Sequence, residues 1–221
     1  MSGHSAPTKS KYGARVNRTP TPIAILISGR GSNMQAIVRA IAAATLDATV
    51  RVVVSNRDDA PGLEWARSQG LETLVLSHRD FPTREAYDAA LVTIMQEHGV
   101  GLVCLAGFMR VLGPTFCDAF PHAILNVHPS LLPAFPGVDA QRQALEYGVK
   151  VSGVTVHFVT PDLDAGPIVE QVIVPVHDGD TADSLSARIL VEEHRVFPRA
   201  IQQIARGGWR INGRRVVFHE K

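Results

Sequence analysis

The sequence predicts an α/β fold: a doubly wound, mostly parallel sheet with antiparallel additions in its C-terminal part. Short, almost wholly apolar runs alternate with helically spaced apolar residues through the first half, the pattern of parallel strands buried on both faces by crossover helices. In the last third, runs joined by turn-forming residues replace that alternation, which points to antiparallel pairing.

The elements follow in order. Residues 23–27 form a continuous apolar run rich in branched side chains, residues 28–33 form a glycine-bearing loop, and Met34, Ile37, Val38 and Ile41 fall at helical spacing. This strand-loop-helix unit recurs as strand 50–55 with helix 62–68, then as strand 72–76 with helix 84–96 closed by Gly99. Strand 102–106 is nearly all apolar, and strand 123–127 runs into His128 and Pro129. Pro129, Pro133, Pro136 and Gly137 punctuate a loop too rich in proline for a helix or central strand. A short helix over 141–147 precedes strands 151–158 and 168–176, which flank the turn-rich segment 160–166. Asp180 or Thr181 caps a long helix to about residue 206, bent near Pro198, and Asn212-Gly213 joins 209–211 to 216–218 as a hairpin.

With 221 residues, 45% of them hydrophobic, the chain can bury a sizeable core. Residues 1–21, rich in Ser, Thr, Pro, Lys and Arg, have the composition of a flexible tail, and 22–221 reads as a single domain. The 22 Lys and Arg against 21 Asp and Glu leave a formal net charge of +1, with no basic field to grip nucleic acid; a small-molecule partner is expected. No run is long enough for a bilayer span and no secretory signal opens the chain, so no membrane partner is expected. Cys104 and Cys117 lie in or beside apolar runs without framework spacing, as buried thiols of a reducing, cytoplasmic compartment do.

Three places carry chemistry. The Ser-Gly-Arg-Gly-Ser-Asn loop at 28–33 lies between first strand and first helix, where backbone N–H groups and the helix dipole receive a phosphate. Met34 occupies the third glycine of the dinucleotide fingerprint, and no Gly-Lys-Ser/Thr follows, which disfavours NAD and ATP. Asn126 and His128 lie two apart at a strand end, on one face and over the usual ligand crevice of an open α/β sheet. The same pair also fits a role of tying down a loop. Asp164 sits in a turn-rich loop where an aspartate is ordinarily a turn former; within a few ångströms of His128 it would stabilise the imidazolium. No zinc or calcium pattern and no G-x-S-x-G element occurs, so neither a metal nor serine hydrolase chemistry is expected.

Residues 27–33, 105–110 (Leu-Ala-Gly-Phe-Met-Arg), 126–133 (Asn-Val-His-Pro-Ser-Leu-Leu-Pro) and 156–159 (Val-His-Phe-Val) through 164–167 (Asp-Ala-Gly-Pro) occur in one order. Together they resemble the phosphoribosylglycinamide formyltransferases, folate-dependent enzymes of purine synthesis, over about residues 22–215. The resemblance implies a Rossmann-like formyltransferase fold whose N-terminal half binds the ribonucleotide and whose C-terminal half binds the folate. It implies 10-formyltetrahydrofolate as co-substrate, glycinamide ribonucleotide as acceptor, and a monomer or homodimer. It assigns catalysis to Asn126, His128 and Asp164, the ribonucleotide to Gly31, Ser32, Asn33 and Glu193, and the folate to Arg84, Met109, Arg110, Val111, Leu112, Asn126, Thr160, Pro161, Asp162, Leu163 and Asp164.

Two positions depart from the family pattern: Gln141 stands where histidine is common, and Leu190 where some bacterial members carry lysine. Methionyl-tRNA formyltransferase shares the Asn-x-His-Pro-Ser-Leu-Leu-Pro element but normally continues into a tRNA-binding domain. Formyltetrahydrofolate hydrolase usually carries an N-terminal regulatory domain. Neither additional domain is expected here. A non-catalytic nucleotide-binding module is the alternative from another class; it would keep the glycine loop without bringing Asn126, His128 and Asp164 together.

Overall fold

The computed structural model describes residues 19–219, so the expected tail lies almost wholly outside the described residues. The order is β1 (Thr21–Ile27), α1 (Ser32–Ala42), β2 (Ala48–Ser55), α2 (Pro61–Ser68), β3 (Thr73–Val75), α3 (Arg84–Glu97), β4 (Leu102–Leu105), α4 (Pro114–Ala119), β5 (Ile124–His128), α5 (Ala140–Tyr147), β6 (Val151–Phe158), β7 (Ile168–Pro175), α6 (Ala182–Ala205), β8 (Trp209–Asn212) and β9 (Arg215–Phe218). The strands form one sheet in the order β3-β2-β1-β4-β5-β6-β7-β9-β8. Pairing is parallel from β3 to β5, antiparallel for β5-β6, β6-β7 and β8-β9, and β7 meets β9 through one parallel pair, Ile168 and Arg215.

The period of two along β1 divides the core into two layers. Ile23, Ile25 and Ile27 face a cluster with Met34, Ile37, Leu63, Ile189, Phe197 and Ile201 from α1, α2 and α6. Ala24 and Leu26 face the other side, against Tyr87, Leu91 and Met95 of α3 and Phe116 of α4. Burial on both faces is the reason β1 shows no polar alternation. Helix α6 begins with a capping box in which Thr181 and Ser184 exchange side-chain and backbone hydrogen bonds, and it remains one helix across Pro198.

The structure adds elements that the sequence pattern conceals. Helix α4 spans only six residues after Gly113 and Pro114, too short for periodicity to register, and a 3-10 turn at His78–Asp80 follows a shortened β3. Helix α1 begins at Ser32, two residues before its first apolar position, because Gly31 turns the chain at φ 68°.

Candidate active site

The strand order reverses between β1 and β4, and the loops leaving their C-terminal ends border the resulting crevice. In the first loop a Cβ on Gly31 would lie 2.8 Å from Met34 Cε, and the residue adopts φ 68°; glycine meets both demands. Helix α1 has no side-chain cap, and its first backbone bond runs from Gln35 N–H to the Gly31 carbonyl. The N–H groups of Ser32, Asn33 and Met34 therefore have no intrahelical acceptor and form a cradle for an anion. Asn33 Nδ2 donates to Glu193 Oε2 at 2.7 Å, which brings Gly31, Ser32, Asn33 and Glu193 together. Burial raises the Glu193 carboxyl above the ordinary carboxylate range, opposed by the Asn33 hydrogen bond.

On the other side of the switch point, β5 carries Asn126 and His128 on one face. The antiparallel register with β6 sets Asn126 opposite His157 and His128 opposite Thr155. Thr155 accepts from Leu132 N–H and donates to the Ser130 carbonyl, while Gln171 donates to the Leu132 carbonyl. This network holds the start of the proline-rich loop against the sheet. His157, present in the Val-His-Phe-Val motif but given no role of its own there, packs into the same group of side chains. Its Nδ1–H donates to the Phe158 carbonyl at 2.9 Å, so Nε2 is an acceptor in the neutral ring, and Asn126 Nδ2 donates to it at 3.2 Å. This fixes which end of the Asn126 amide faces His157 and leaves its second N–H for a ligand.

His128 and Asp164 converge, as the enzyme reading requires. His128 Nδ1 lies 3.5 Å from Asp164 Oδ2, and the two side chains are 5% and 8% exposed. His128 Nε2 lies 2.8 Å from the Phe135 carbonyl, an acceptor only, so Nε2 carries the hydrogen in the neutral ring and Nδ1 is the nitrogen turned toward Asp164. Asp164 Oδ2 also accepts from Gly137 N–H at 2.7 Å, and Oδ1 lies 3.7 Å from His157 Nε2. Phe135 and Asp164, the two residues that hold His128 from opposite sides, adopt left-handed backbone at φ 54° and 48°, each costing about 1–3 kcal/mol.

These groups open onto a cavity of about 530 Å³. Its wall includes Met109, Arg110, Val111, Leu112, Asn126, His128, Thr160, Asp162, Leu163 and Asp164. Pro161 and Arg84 do not line it; Arg84 is exposed at the start of α3, with its stem beside Gly113. Gln141 lines the cavity and donates to Ser186, while Leu190 is half-buried on α6 one turn before Glu193. Wall residues come from both halves of the sequence. Among the described residues no group of three or more His, Cys, Asp or Glu could hold a metal, and no helix is long and apolar enough to cross a membrane.

Burial lowers the pKa of His157 below the ordinary histidine value, against the opposing pull of the Phe158 carbonyl and Asp164. The unfolded chain therefore takes up a proton near pH 6.5 that folded His157 refuses. Its contribution to stability is intact above that pH and declines as pH falls through the window between the unfolded and the lower folded value. Denaturant midpoints at pH 7.5 and 5.5 test this: the loss on acidification is expected to be smaller in His157→Gln than in the wild-type protein. Equal losses would refute it.

Residues 21–201 match the formyl transferase family model. The chain is 46% identical over 185 residues to phosphoribosylglycinamide formyltransferase of Escherichia coli, covering 84% of this chain and 87% of that protein. It is 44% identical over 185 residues to the human trifunctional purine biosynthetic protein adenosine-3, covering 84% of this chain and 18% of that protein. The chain thus spans about a fifth of the length of the trifunctional relatives it matches. Among solved structures, glycinamide ribonucleotide transformylase 1 of Symbiobacterium toebii superposes with a TM-score of 0.91 at 50% identity, covering 96% of this chain and all of that one. Phosphoribosylglycinamide formyltransferase of Anaplasma phagocytophilum superposes with a TM-score of 0.83 at 40% identity, covering 91% and 95%. With the family model matched across most of its length and the cleft built as described, this chain belongs to the formyl transferase family.

Proposed function

We propose that the protein transfers the formyl group of 10-formyltetrahydrofolate to the amine of N1-(5-phospho-D-ribosyl)glycinamide, giving the N-formyl product and tetrahydrofolate in de novo purine synthesis. The observation that carries this reading is the convergence of Asn126, His128 and Asp164 on a cleft next to an uncapped helix N-terminus. The phosphate sits on the amides of Gly31, Ser32 and Asn33, with Glu193 toward the rest of the ribonucleotide. The folate lies along Met109, Arg110, Val111 and Leu112 and the 160–164 loop, with Arg84 outside the cavity at its carboxylate end. Residues 22–221 act as one domain on two small molecules, in the cytoplasm, without a metal.

The neutral amine attacks the formyl carbon, a C–N bond forms, and the carbonyl electrons move to oxygen. The free N–H of Asn126 and the Nδ1–H of charged His128 meet that oxyanion at the buried base of the cleft, where His128 and Asp164 have little contact with water and such donors act most strongly. Collapse re-forms the carbonyl and breaks the bond to the folate nitrogen. The proton lost by the attacking amine ends on that nitrogen, passed through His128 Nδ1 or a water ordered by Asp164. His157 stays neutral and orients Asn126. The test is formyl transfer by the purified protein with both substrates supplied. Turnover supports the reading; folate binding without transfer to glycinamide ribonucleotide would redirect it to another acceptor.

A further inference from the structure

Ser28 stands at the head of the glycine loop, but its side chain turns away from the anion cradle. Its hydroxyl donates to Asn56 Oδ1 at 2.5 Å and accepts from Met109 N–H at 2.8 Å. Its backbone N–H donates to the Gly107 carbonyl at 3.1 Å. Ser28 and Asn56 are both buried. One small side chain thus ties together the segments leaving β1, β2 and β4.

The tie matters because the rest of the segment that follows β4 is held chiefly through side chains, with Phe108 and Leu112 buried in the core and Arg110 over the Tyr87 ring, while its backbone has few partners. Among the described residues, the backbone of 107–112 is hydrogen-bonded only to Ser28, at Gly107 and Met109, apart from a 3.9 Å contact from Cys117 Sγ to the Leu112 carbonyl. At its far end Gly113 N–H donates to Asp88 Oδ2 at 2.7 Å. Met109 and Val111 remain 68% and 46% exposed, so burial does little to immobilise them. This segment forms one wall of the cavity.

The glycine loop, in contrast, has independent supports. Gly62 N–H donates to the Gly29 carbonyl at 3.0 Å, and Gln35 N–H to that of Gly31 at 2.9 Å. Asn33 is bonded to Glu193. Losing the Ser28 hydroxyl would leave these contacts in place.

We infer that Ser28 is a positioning residue that sets the 107–112 wall against the glycine loop, and so fixes the distance between the folate and ribonucleotide subsites. The inference rests on the formyl-transfer reading. A hydroxyl suits this position because its single hydrogen is committed to Asn56, which orients an oxygen lone pair toward Met109 N–H. Alanine retains the backbone bond to Gly107 and leaves Met109 N–H without its acceptor.

The experiment compares wild-type protein, Ser28→Ala and Asn56→Ala, with Ser55→Ala as a control. Ser55 is also buried, at the end of β2, and bonds the Arg57 carbonyl. Steady-state formyl transfer and amide hydrogen exchange across 107–113 are measured on each. In Ser28→Ala the KM for the folate is expected to rise about tenfold, the size of one lost hydrogen bond, while the KM for the ribonucleotide stays unchanged. Exchange at Met109 is expected to accelerate. Asn56→Ala should shift both readouts in the same direction by less, and it carries the test if Ser28→Ala fails to fold. Ser55→Ala should leave them unchanged.

An unchanged folate KM with unchanged Met109 exchange would overturn the inference. So would an equal rise in both KM values alongside a fall in melting temperature, the mark of a merely structural serine. If wild-type protein transfers no formyl group to glycinamide ribonucleotide, the functional reading fails, and Met109 exchange still reports whether Ser28 holds the wall.

Discussion

Replacing His128 with alanine is expected to lower kcat by about 10²–10³-fold, the cost of removing one preorganised donor to a developing oxyanion. The ring is buried, with Nε2 anchored on the Phe135 carbonyl and Nδ1 turned toward Asp164. Alanine removes the proton carrier of the proposed mechanism and leaves Asp164 with only Gly137 N–H and His157 beside it. Asp164→Asn keeps the shape and an acceptor for Gly137 N–H but abolishes the negative charge beside Nδ1, and a drop of well over tenfold is expected. Both variants should remain folded by circular dichroism. Wild-type turnover in either folded variant would remove that residue from the mechanism.

The second large effect is expected from a residue that touches no substrate. A Cβ on Gly166 would lie 1.8 Å from the Phe158 carbonyl oxygen and 2.8 Å from its carbon. No side chain fits there without moving backbone. The loop that carries Asp164 is closed at this point, because Phe158 N–H donates to the Pro167 carbonyl at 2.9 Å. Gly166→Ala must therefore spread the loop two residues from Asp164. A displacement of about 1 Å at a catalytic group costs on the order of 10² in rate, and the overpacking costs about 1–3 kcal/mol of stability. Gly179→Ala, whose Cβ would meet nothing within 4 Å, serves as the control in paired kcat and denaturant-midpoint measurements. A Gly166→Ala protein with wild-type kcat would show that the loop absorbs the methyl group without shifting Asp164.

The Gly166 geometry gives the Asp-Ala-Gly-Pro motif a physical reason that spacing alone does not supply. The nine strands among the described residues were legible because apolar runs and turn residues are local signals, and so was the shared face of Asn126 and His128, which follows from the period of two. What escaped was non-local. His157 reads as one residue in a strand, and its bond to Asn126 exists only because β6 runs antiparallel to β5 in a particular register. A histidine at a fully buried strand position was the available signal. The Phe135 carbonyl and the Ser28 hydroxyl escaped for the same reason: their roles depend on where a proline-rich loop and a third strand end arrive in space.

Phe135 and Asp164 bear on what this protein would become under a different selection. Both hold left-handed backbone that glycine or asparagine adopts at lower cost. At Phe135 the backbone carbonyl that anchors Nε2 would survive such a change, whereas heat resistance and turnover pull in opposite directions at Asp164, whose carboxylate faces His128. A lineage rewarded only for surviving high temperature would drift toward glycine or asparagine there, and its descendants would be sturdier proteins with an idle cleft.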